Sequence, residues 1–216
     1  MKREEAASQS IRHLSKVDRV MGRLIAQVGP CGLKKHRGGF ETMAEIIVAQ
    51  QLSTQVATAI FGRLKAAAGG RLTPKVVLDL SDAEMRQAGL SRGKVAYLRD
   101  LAKKTLDGTV SFRKLPQLPD EDVISMLTQV KGIGRWTTEM YLIFVLGRPD
   151  VFSPGDKGLQ AAIARHYGVT NPKADLAECS ERWKPYRSTA CWYLWRSLRL
   201  AKKTQATTRE SARYTR

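Results

Sequence analysis

The chain has 216 residues and carries 37 Lys and Arg against 20 Asp and Glu, which gives a formal net charge of +17. Hydrophobic residues make up 43% of it, enough to build a globular core and too much for a disordered protein. The longest apolar run, Met140 to Leu146, has seven residues, whereas a membrane-spanning helix needs roughly 18. The polar segment 1–10 has no hydrophobic signal region, so we expect neither a membrane protein nor a secreted one.

The surplus of positive charge favours a polyanionic partner, with nucleic acid first and an anionic membrane surface second. Residues 201–216 contribute five basic side chains and one acid and lack a helical apolar period, so we predict a basic, disordered tail there. Most of the surplus therefore lies in the folded body. A basic protein without a nucleic-acid partner is the alternative that composition alone leaves open.

The three cysteines, Cys31, Cys179 and Cys191, lie far apart in the sequence. They are too few for a four-cysteine iron–sulfur cluster or a zinc ribbon, and an odd number suits a disulfide framework poorly. We therefore expect reduced thiols in a cytosolic protein.

Nearly every segment repeats its apolar residues with the period of an amphipathic helix, and none alternates as a half-buried strand does. Short turns separate these segments, so the sequence predicts an all-α fold of many short helices. The predicted helices, in chain order, are Ile11–Val28, Phe40–Ala68 with a break near Leu52 and Ser53, a short helix opened by the capping box Ser81–Glu84, Ser91–Thr105, Asp120–Val130, Arg135–Leu146, Asp156–Tyr167, Leu176–Trp183 and Pro185–Lys203.

The segment 127–137, LTQVKGIGRWT, predicts two helices joined by a tight hairpin. Gly132 and Gly134 permit backbone angles and a close approach that side chains would forbid, and Ile133 is expected to pack inward. The first turn of the second helix then presents unpaired N–H groups at the positive end of a helix dipole, which suits a DNA phosphate. The alternative is an ordinary helix–helix turn that uses its glycines as helix breakers.

Contacts to the DNA backbone are therefore predicted around this hairpin. Such contacts recognise phosphate and not sequence, so another feature has to supply any chemistry. The turn also leaves the carbonyl oxygens of Thr128, Val130 and Ile133 available for a structural Na⁺ or K⁺ when DNA is bound; no other cofactor is expected. The predicted backbone-contact residues are Lys131, Gly132, Gly134, Arg135 and Thr137.

A second feature is Pro154-Gly155-Asp156, which precedes a predicted helix. An aspartate in this position is most often an N-cap. Here capping and function are compatible, because the cap would fix an ionised carboxylate at the mouth of a cleft between two helical lobes.

Several motifs occur together in an order that resembles the helix–hairpin–helix DNA glycosylase superfamily, and within it the AlkA-like 3-methyladenine DNA glycosylases. The resemblance covers roughly Thr42 to Leu198. The motifs that carry it are the hairpin and the Pro-Gly-Asp above, Ala49–Ser53, Gly89–Lys94, Leu115-Pro116, Gly134–Thr137 and Arg182–Ser188.

The resemblance implies two helical lobes, 39–148 and 1–38 with 149–200, and an active-site cleft between them. It also implies base flipping, with roles for the matching positions. Asp156 would be the catalytic carboxylate, Trp136 and Trp195 the aromatic walls of the base pocket, and Gln51 the wedge that fills the gap left in the DNA. Residues 128–136 would grip the backbone and hold the cation.

Each assignment has a structural alternative. Trp136 is equally a candidate for the core, and of the neighbouring Trp192 and Trp195 one can line the pocket while the other packs. Gln51 can instead be an amide at the edge of the core that caps a broken helix. Tyr141 suits pocket and packing equally well, and we assign it to the pocket.

Several positions depart from the superfamily's pattern. Bifunctional members have a Schiff-base lysine where this chain has Trp136, so a lyase step is not expected. Met140 falls where some relatives have a pocket tyrosine, which would reshape the pocket. Lys157, next to Asp156, is expected to keep that carboxyl ionised.

The sequence thus predicts a monofunctional glycosylase that removes alkylated purines, of the 3-methyladenine and 7-methylguanine type, from duplex DNA and so initiates base excision repair. We expect a monomer that acts in the bacterial cytoplasm on the nucleoid, or in a eukaryotic nucleus. The alternatives are a glycosylase for other damaged bases and a non-catalytic, structure-specific DNA-binding module. The second alternative predicts that Asp156→Asn changes nothing.

Overall fold

The computed structural model describes residues 2–169 and 178–214, with side chains for 8–169 and 178–200. Over this part of the chain the secondary structure is helical and no strand occurs, which confirms the all-α prediction. The α-helices are α1 Lys2–Val17, α2 Arg19–Val28, α3 Phe40–Ala49, α4 Thr54–Ala67, α5 Pro74–Asp79, α6 Asp82–Gln87, α7 Arg92–Leu106, α8 Asp120–Leu127, α9 Arg135–Tyr141, α10 Lys157–Tyr167 and α11 Arg187–Tyr214.

Three shorter helical segments complete this description. Leu115–Gln117 forms a 3₁₀ turn, Leu142–Leu146 continues α9 as a π-helical turn, and residues 178–181 are helical. The predicted helix Leu176–Trp183 lies partly outside the described residues. No helix in the described part of the chain has the length and apolar content that a bilayer span requires.

The chain divides into two compact units, one of residues 1–34 with 147–216 and the other of residues 35–146. In the second unit α7 packs against α3 and α5, and α3 packs against α4. In the first unit α11 packs against α2 and α10. Each unit has its own apolar core; that of the first contains Leu14, Met21, Leu159, Trp183, Tyr193 and Leu194.

In the described chain, six of the eleven α-helices begin with a side-chain cap. Ser81 and Glu84 make both bonds of the capping box, which confirms that prediction. Ser53 caps α4, so the predicted break near Leu52 and Ser53 is also confirmed. Thr73 caps α5 in the same manner.

The prediction of one helix over Ile11–Val28 is wrong, because Asp18 interrupts it. Its Oδ1 accepts the N–H groups of Val20 and Met21 at 2.9 and 3.0 Å, and so starts α2 as a separate helix. Its Oδ2 accepts the Tyr167 hydroxyl and the Trp183 indole N–H, both at 2.8 Å. A buried carboxylate with four donors thus takes the place of continuous helix.

The predicted disorder of residues 201–216 is corrected over residues 201–214, where α11 continues as helix to Tyr214. The segment lacks an apolar period, but it also lacks Gly and Pro, and seven of the fourteen residues 201–214 are Ala, Lys or Arg. Such residues extend an existing helix at little cost, because the costly nucleation has already occurred in the packed part.

Candidate nucleic-acid interface and active site

The hairpin between α8 and α9 has the predicted geometry at its first glycine. Gly132 has φ of +80°, and a Cβ added there would overlap the ring of Tyr97 from α7. Ile133 is buried, as predicted. Gly134 differs, since its φ of −97° is open to any residue and a Cβ there would meet nothing within 4 Å. Of the two glycines in the hairpin, Gly132 is therefore required by the backbone conformation and by the Tyr97 ring, and Gly134 is not.

The second helix of the hairpin begins without a side-chain cap. Gly134 occupies the N-cap position of α9, which has no acidic residue in its first turn. In contrast, Ser91 caps α7 through the N–H of Lys94, and Asp156 caps α10 through the N–H of Leu159. The N-terminus of α9 is therefore suited to an external anion, as the sequence predicts.

Part of the predicted backbone contact is used inside the protein instead. The N–H of Lys131 donates to Asp100 Oδ2 at 2.8 Å, although its side chain is exposed. The guanidinium of Arg135 donates to Glu121 Oε2 at 3.0 Å and to Glu139 Oε1 at 3.2 Å. Because two carboxylates bind it, the prediction of Arg135 as a phosphate-binding side chain is corrected. Its guanidinium joins α8 to α9.

The hairpin also contains Thr137 and the three carbonyl oxygens that were predicted to bind a cation. Thr137 is buried, so its side chain does not reach out toward a backbone. Of the three predicted cation-binding carbonyls, that of Val130 accepts the N–H of Ile133 at 3.0 Å and keeps one lone pair. Among the described residues no cluster of His, Cys, Asp or Glu is arranged to bind a metal ion.

The turn between α3 and α4, residues 50–53, presents Gln51 to solvent. Gln51 has φ of +59°, a left-handed conformation that costs a side-chain-bearing residue about 1–3 kcal/mol. The alternative in which its amide caps the broken helix is wrong, because the exposed Gln51 side chain makes no hydrogen bond with a described residue. The neighbouring Gln50 instead donates from Nε2 to the Gly132 carbonyl of the hairpin at 2.9 Å. Leu52, which sequence analysis missed, is 38% exposed beside Gln51.

A groove of about 1240 Å³ lies in the unit of residues 35–146, bordered by this turn, α3 and α9. Trp136 lines it and is 48% exposed, so the alternative that places Trp136 in the core is wrong. Met140 and Phe144, one and two helical turns further on, extend its apolar side. The groove thus offers a flat aromatic and a thioether, a surface on which a planar ring can stack.

Tyr141 does not line this groove, which corrects its assignment to the base pocket. It is 1% exposed, its hydroxyl accepts the N–H of Gly39 at 3.3 Å, and its ring packs near Phe112. Burial raises the pKa of Tyr141 above its usual value. The reason is angular, because five residues along a helix turn Tyr141 about 140° away from Trp136, whereas Met140 stays on the same side.

Two glutamates of α3 line the groove and differ in their partners. Glu41 accepts the Lys65 ammonium at 2.7 Å and the Leu72 N–H at 3.0 Å. The hydrogen bond from Lys65 lowers the pKa of Glu41. Glu45, one turn later, is exposed and makes no ion pair with a described residue. It supplies negative charge to the groove of a basic protein.

In the other unit, Asp156 lies at the start of α10, as predicted. Its Oδ1 accepts the Leu159 N–H at 2.7 Å and the Trp195 indole N–H at 2.9 Å, and the residue is 8% exposed. Trp195 therefore donates a hydrogen bond that holds the carboxylate in place, and the sequence did not predict this contact. Trp192 packs instead, since a Cβ at Gly32 would lie 3.1 Å from its ring.

Comparison with known proteins shows the family of the chain. Residues 44–185 match the HhH-GPD superfamily of base excision DNA repair proteins. The chain belongs to this superfamily. The "DNA-3-methyladenine glycosylase 1" of Schizosaccharomyces pombe is 34% identical over 201 residues, which are 89% of this chain and 88% of that protein. The resemblance predicted from the sequence is therefore confirmed.

Solved structures of the superfamily have the same fold. The DNA-3-methyladenine glycosidase of Bacillus halodurans superposes with a TM-score of 0.81 at 36% identity, covering 87% of this chain and 88% of that one. The 3-methyladenine DNA glycosylase of S. pombe, solved in complex with abasic DNA, superposes with a TM-score of 0.78 at 33% identity. That match covers 89% of this chain and 98% of the yeast chain.

Proposed function

We propose that this chain is a monofunctional DNA glycosylase that hydrolyses the N-glycosidic bond of alkylated purines flipped out of duplex DNA. Its product would be an abasic site, the starting point of base excision repair. The observation that carries the proposal is the carboxylate of Asp156, held by two donors in a chain of the HhH-GPD superfamily. The relatives named as 3-methyladenine glycosylases support the substrate class.

Asp156 has the properties that this hydrolysis needs. Breaking the C1′–N bond develops oxocarbenium character on the sugar, and a fixed carboxylate stabilises that charge. The bonding electron pair leaves with the base, which neutralises the positive charge of a purine alkylated at N3 or N7. A water molecule then adds to C1′ and releases a proton. Since the leaving base is already cationic, one carboxylate is sufficient.

The groove beside Trp136 has the chemistry to receive such a base. A cationic purine stacked on an indole gains roughly 0.5–2 kcal/mol, depending on desolvation. Met140 adds a polarisable surface beside the ring. The exposed carboxylate of Glu45 favours a positively charged base over a neutral one.

The hairpin and the turn 50–53 supply the hold on DNA in this proposal. The N-terminus of α9 binds a phosphate, and the exposed Gln51 and Leu52 fill the space that the flipped base leaves. The carbonyl oxygens of Thr128, Val130 and Ile133 suit an alkali cation, which would link the hairpin to the phosphate by its charge. We further propose that the protein binds duplex DNA as a monomer, in the cytoplasm or the nucleus.

Base release from methylated duplex DNA tests the proposal. Asp156→Asn keeps an oxygen that can accept from both donors, so the fold is retained while the charge is lost. A carboxylate about 4 Å from an oxocarbenium carbon is worth about 4 kcal/mol at an effective dielectric constant of 20. We therefore expect wild type to release 3-methyladenine and 7-methylguanine, and Asp156→Asn to release them about a thousandfold more slowly.

DNA affinity, measured on the same two proteins, is expected to be similar. If wild-type protein releases neither base, the substrate assignment fails. If Asp156→Asn is as active as wild type, the role of this carboxylate fails and the mechanism with it.

A further inference from the structure

One face of α7 contacts both the hairpin and the turn between α3 and α4. The side chains of Lys94, Tyr97, Asp100 and Lys104 follow one another at intervals of three or four residues, and all four are half-buried. We call this set the α7 stripe. Lys104 Nζ donates to the Gln129 carbonyl at 2.7 Å, Asp100 accepts the Lys131 N–H, and the Tyr97 ring covers Gly132.

At the N-terminal end of the stripe, Lys94 holds the turn of residues 50–53. Its ammonium donates to the Val48 carbonyl at 2.6 Å and to the Gln50 carbonyl at 2.8 Å, at the C-terminus of α3. Burial of this ammonium lowers the pKa of Lys94. Gln50 closes the connection, because its side chain donates to Gly132 of the hairpin at 2.9 Å.

We propose that Lys94 is a positioning residue that fixes the turn of residues 50–53 relative to the phosphate-binding hairpin. DNA whose phosphate is bound at the hairpin is then correctly placed for the Gln51 side chain to insert into the base stack. This inference rests on the proposed function, because it concerns how the same site separates a base from its stack. Lys94 also lines the groove beside Trp136, but in this role it acts through the backbone of residues 48–50.

The argument depends on strain and on distance. Gln51 holds a left-handed backbone conformation, which persists when surrounding contacts enforce it. Two of those contacts are the bonds from Lys94 to the carbonyls immediately before Gln51. Without them the turn can relax, and a side chain displaced by about 1 Å inserts much less effectively. The hairpin would keep its contacts with Tyr97 and Asp100.

The test compares Lys94→Met with Lys103→Met. Methionine keeps the length of the side chain and removes the ammonium, while Lys103 is an exposed lysine of the same helix without a hydrogen bond to described residues. The two variants therefore have equal net charge. Single-turnover base release is measured from 7-methylguanine paired with cytosine, and from 7-methylguanine opposite an abasic-site analogue, where less unpairing is needed.

We expect Lys94→Met to release the paired base about tenfold more slowly than Lys103→Met, and the unpaired base within about twofold of it. A tenfold change corresponds to about 1.4 kcal/mol. Affinity for undamaged duplex should match that of Lys103→Met, because the hairpin is unchanged. Equal slowing on both substrates, or no slowing on either, would overturn the proposal.

Two further measurements test the inference even if Lys94→Met fails to fold or the protein releases no base. Gln50→Ala removes only the side-chain bond to Gly132 and should show the same selective loss, even if Lys94→Met does not fold. Fluorescence of 2-aminopurine opposite an abasic-site analogue reports insertion without any base release. If the fluorescence rises when wild type binds and does not rise with Lys94→Met, the positioning role is supported even where no base is released. An equal rise in fluorescence with both proteins refutes the positioning role.

Discussion

Replacing Gly134 separates the stability of the hairpin from its binding of DNA. The backbone of Gly134 is accessible to all residues, and an added Cβ meets no atom within 4 Å. In α4, α5, α6, α7 and α10 the N-cap oxygen accepts the N–H three residues later. Gly134→Ser should therefore cap α9 through the N–H of Thr137, and Gly134→Asp should do so with a charge that suits the helix dipole.

The two effects should have opposite signs. A serine cap and the lower entropy of the unfolded chain together add about 0.5–1 kcal/mol to the free energy of unfolding, and aspartate adds slightly more. For a chain of this size that raises Tm by roughly 1–4 °C. The same oxygen occupies the position of a phosphate, so affinity for undamaged duplex should fall about tenfold for Gly134→Ser and further for Gly134→Asp.

Thermal unfolding measures Tm, and fluorescence-anisotropy titration measures the affinity for undamaged duplex DNA, both at one fixed salt concentration. The serine variant controls for the charge of the aspartate variant. Stabilised variants that bind DNA as tightly as wild type would show that the N-terminus of α9 does not contact phosphate. Destabilised variants would show that position 134 requires glycine within the protein itself.

Two other predictions concern a buried and an exposed carboxylate. Glu45→Gln should lower the ratio of 7-methylguanine to hypoxanthine release about fivefold, because it removes a charge that favours cationic bases; Asp79→Asn, an exposed carboxylate outside the groove, should leave the ratio unchanged. Asp18→Asn should lower the free energy of unfolding by about 2–4 kcal/mol, and Tm by roughly 10 °C, because its single carbonyl oxygen can serve either the two N–H groups of α2 or Tyr167 and Trp183, but not both pairs. A melting curve that overlies that of wild type would contradict the account of Asp18.

The parts of the fold that sequence predicted are those that local rules determine. Apolar periodicity located most of the helices but not α5, and Ser81 with Glu84 predicted a cap from neighbours in the chain. The break at Asp18 escaped prediction because three-dimensional contacts stabilise it: its second oxygen binds Tyr167 and Trp183, both far along the sequence. The helical tail to Tyr214 escaped it because periodicity was weighed above helix propensity.

The candidate site divides in the same way. Sequence motifs predicted Asp156 as an N-cap and the turn at Gly132, and both are confirmed. The position of Tyr141 was predictable, since five residues along one helix place it away from Trp136, but residue type was given more weight than helical angle. The bond from Trp195 to Asp156 spans 39 residues, and no local pattern indicates it.

The charges around the hairpin change how its binding of DNA is understood. The sequence predicted phosphate contacts by Lys131 and Arg135. In the structure Glu121 and Glu139 bind the Arg135 guanidinium, and Asp100 accepts the backbone N–H of Lys131, so these contacts hold the hairpin in place. In the proposed function, recognition of phosphate then depends on the uncapped N-terminus of α9 and on the exposed side chain of Lys131. A rigid frame suits this purpose, because backbone N–H groups bind an anion well only when they are held in place before it arrives.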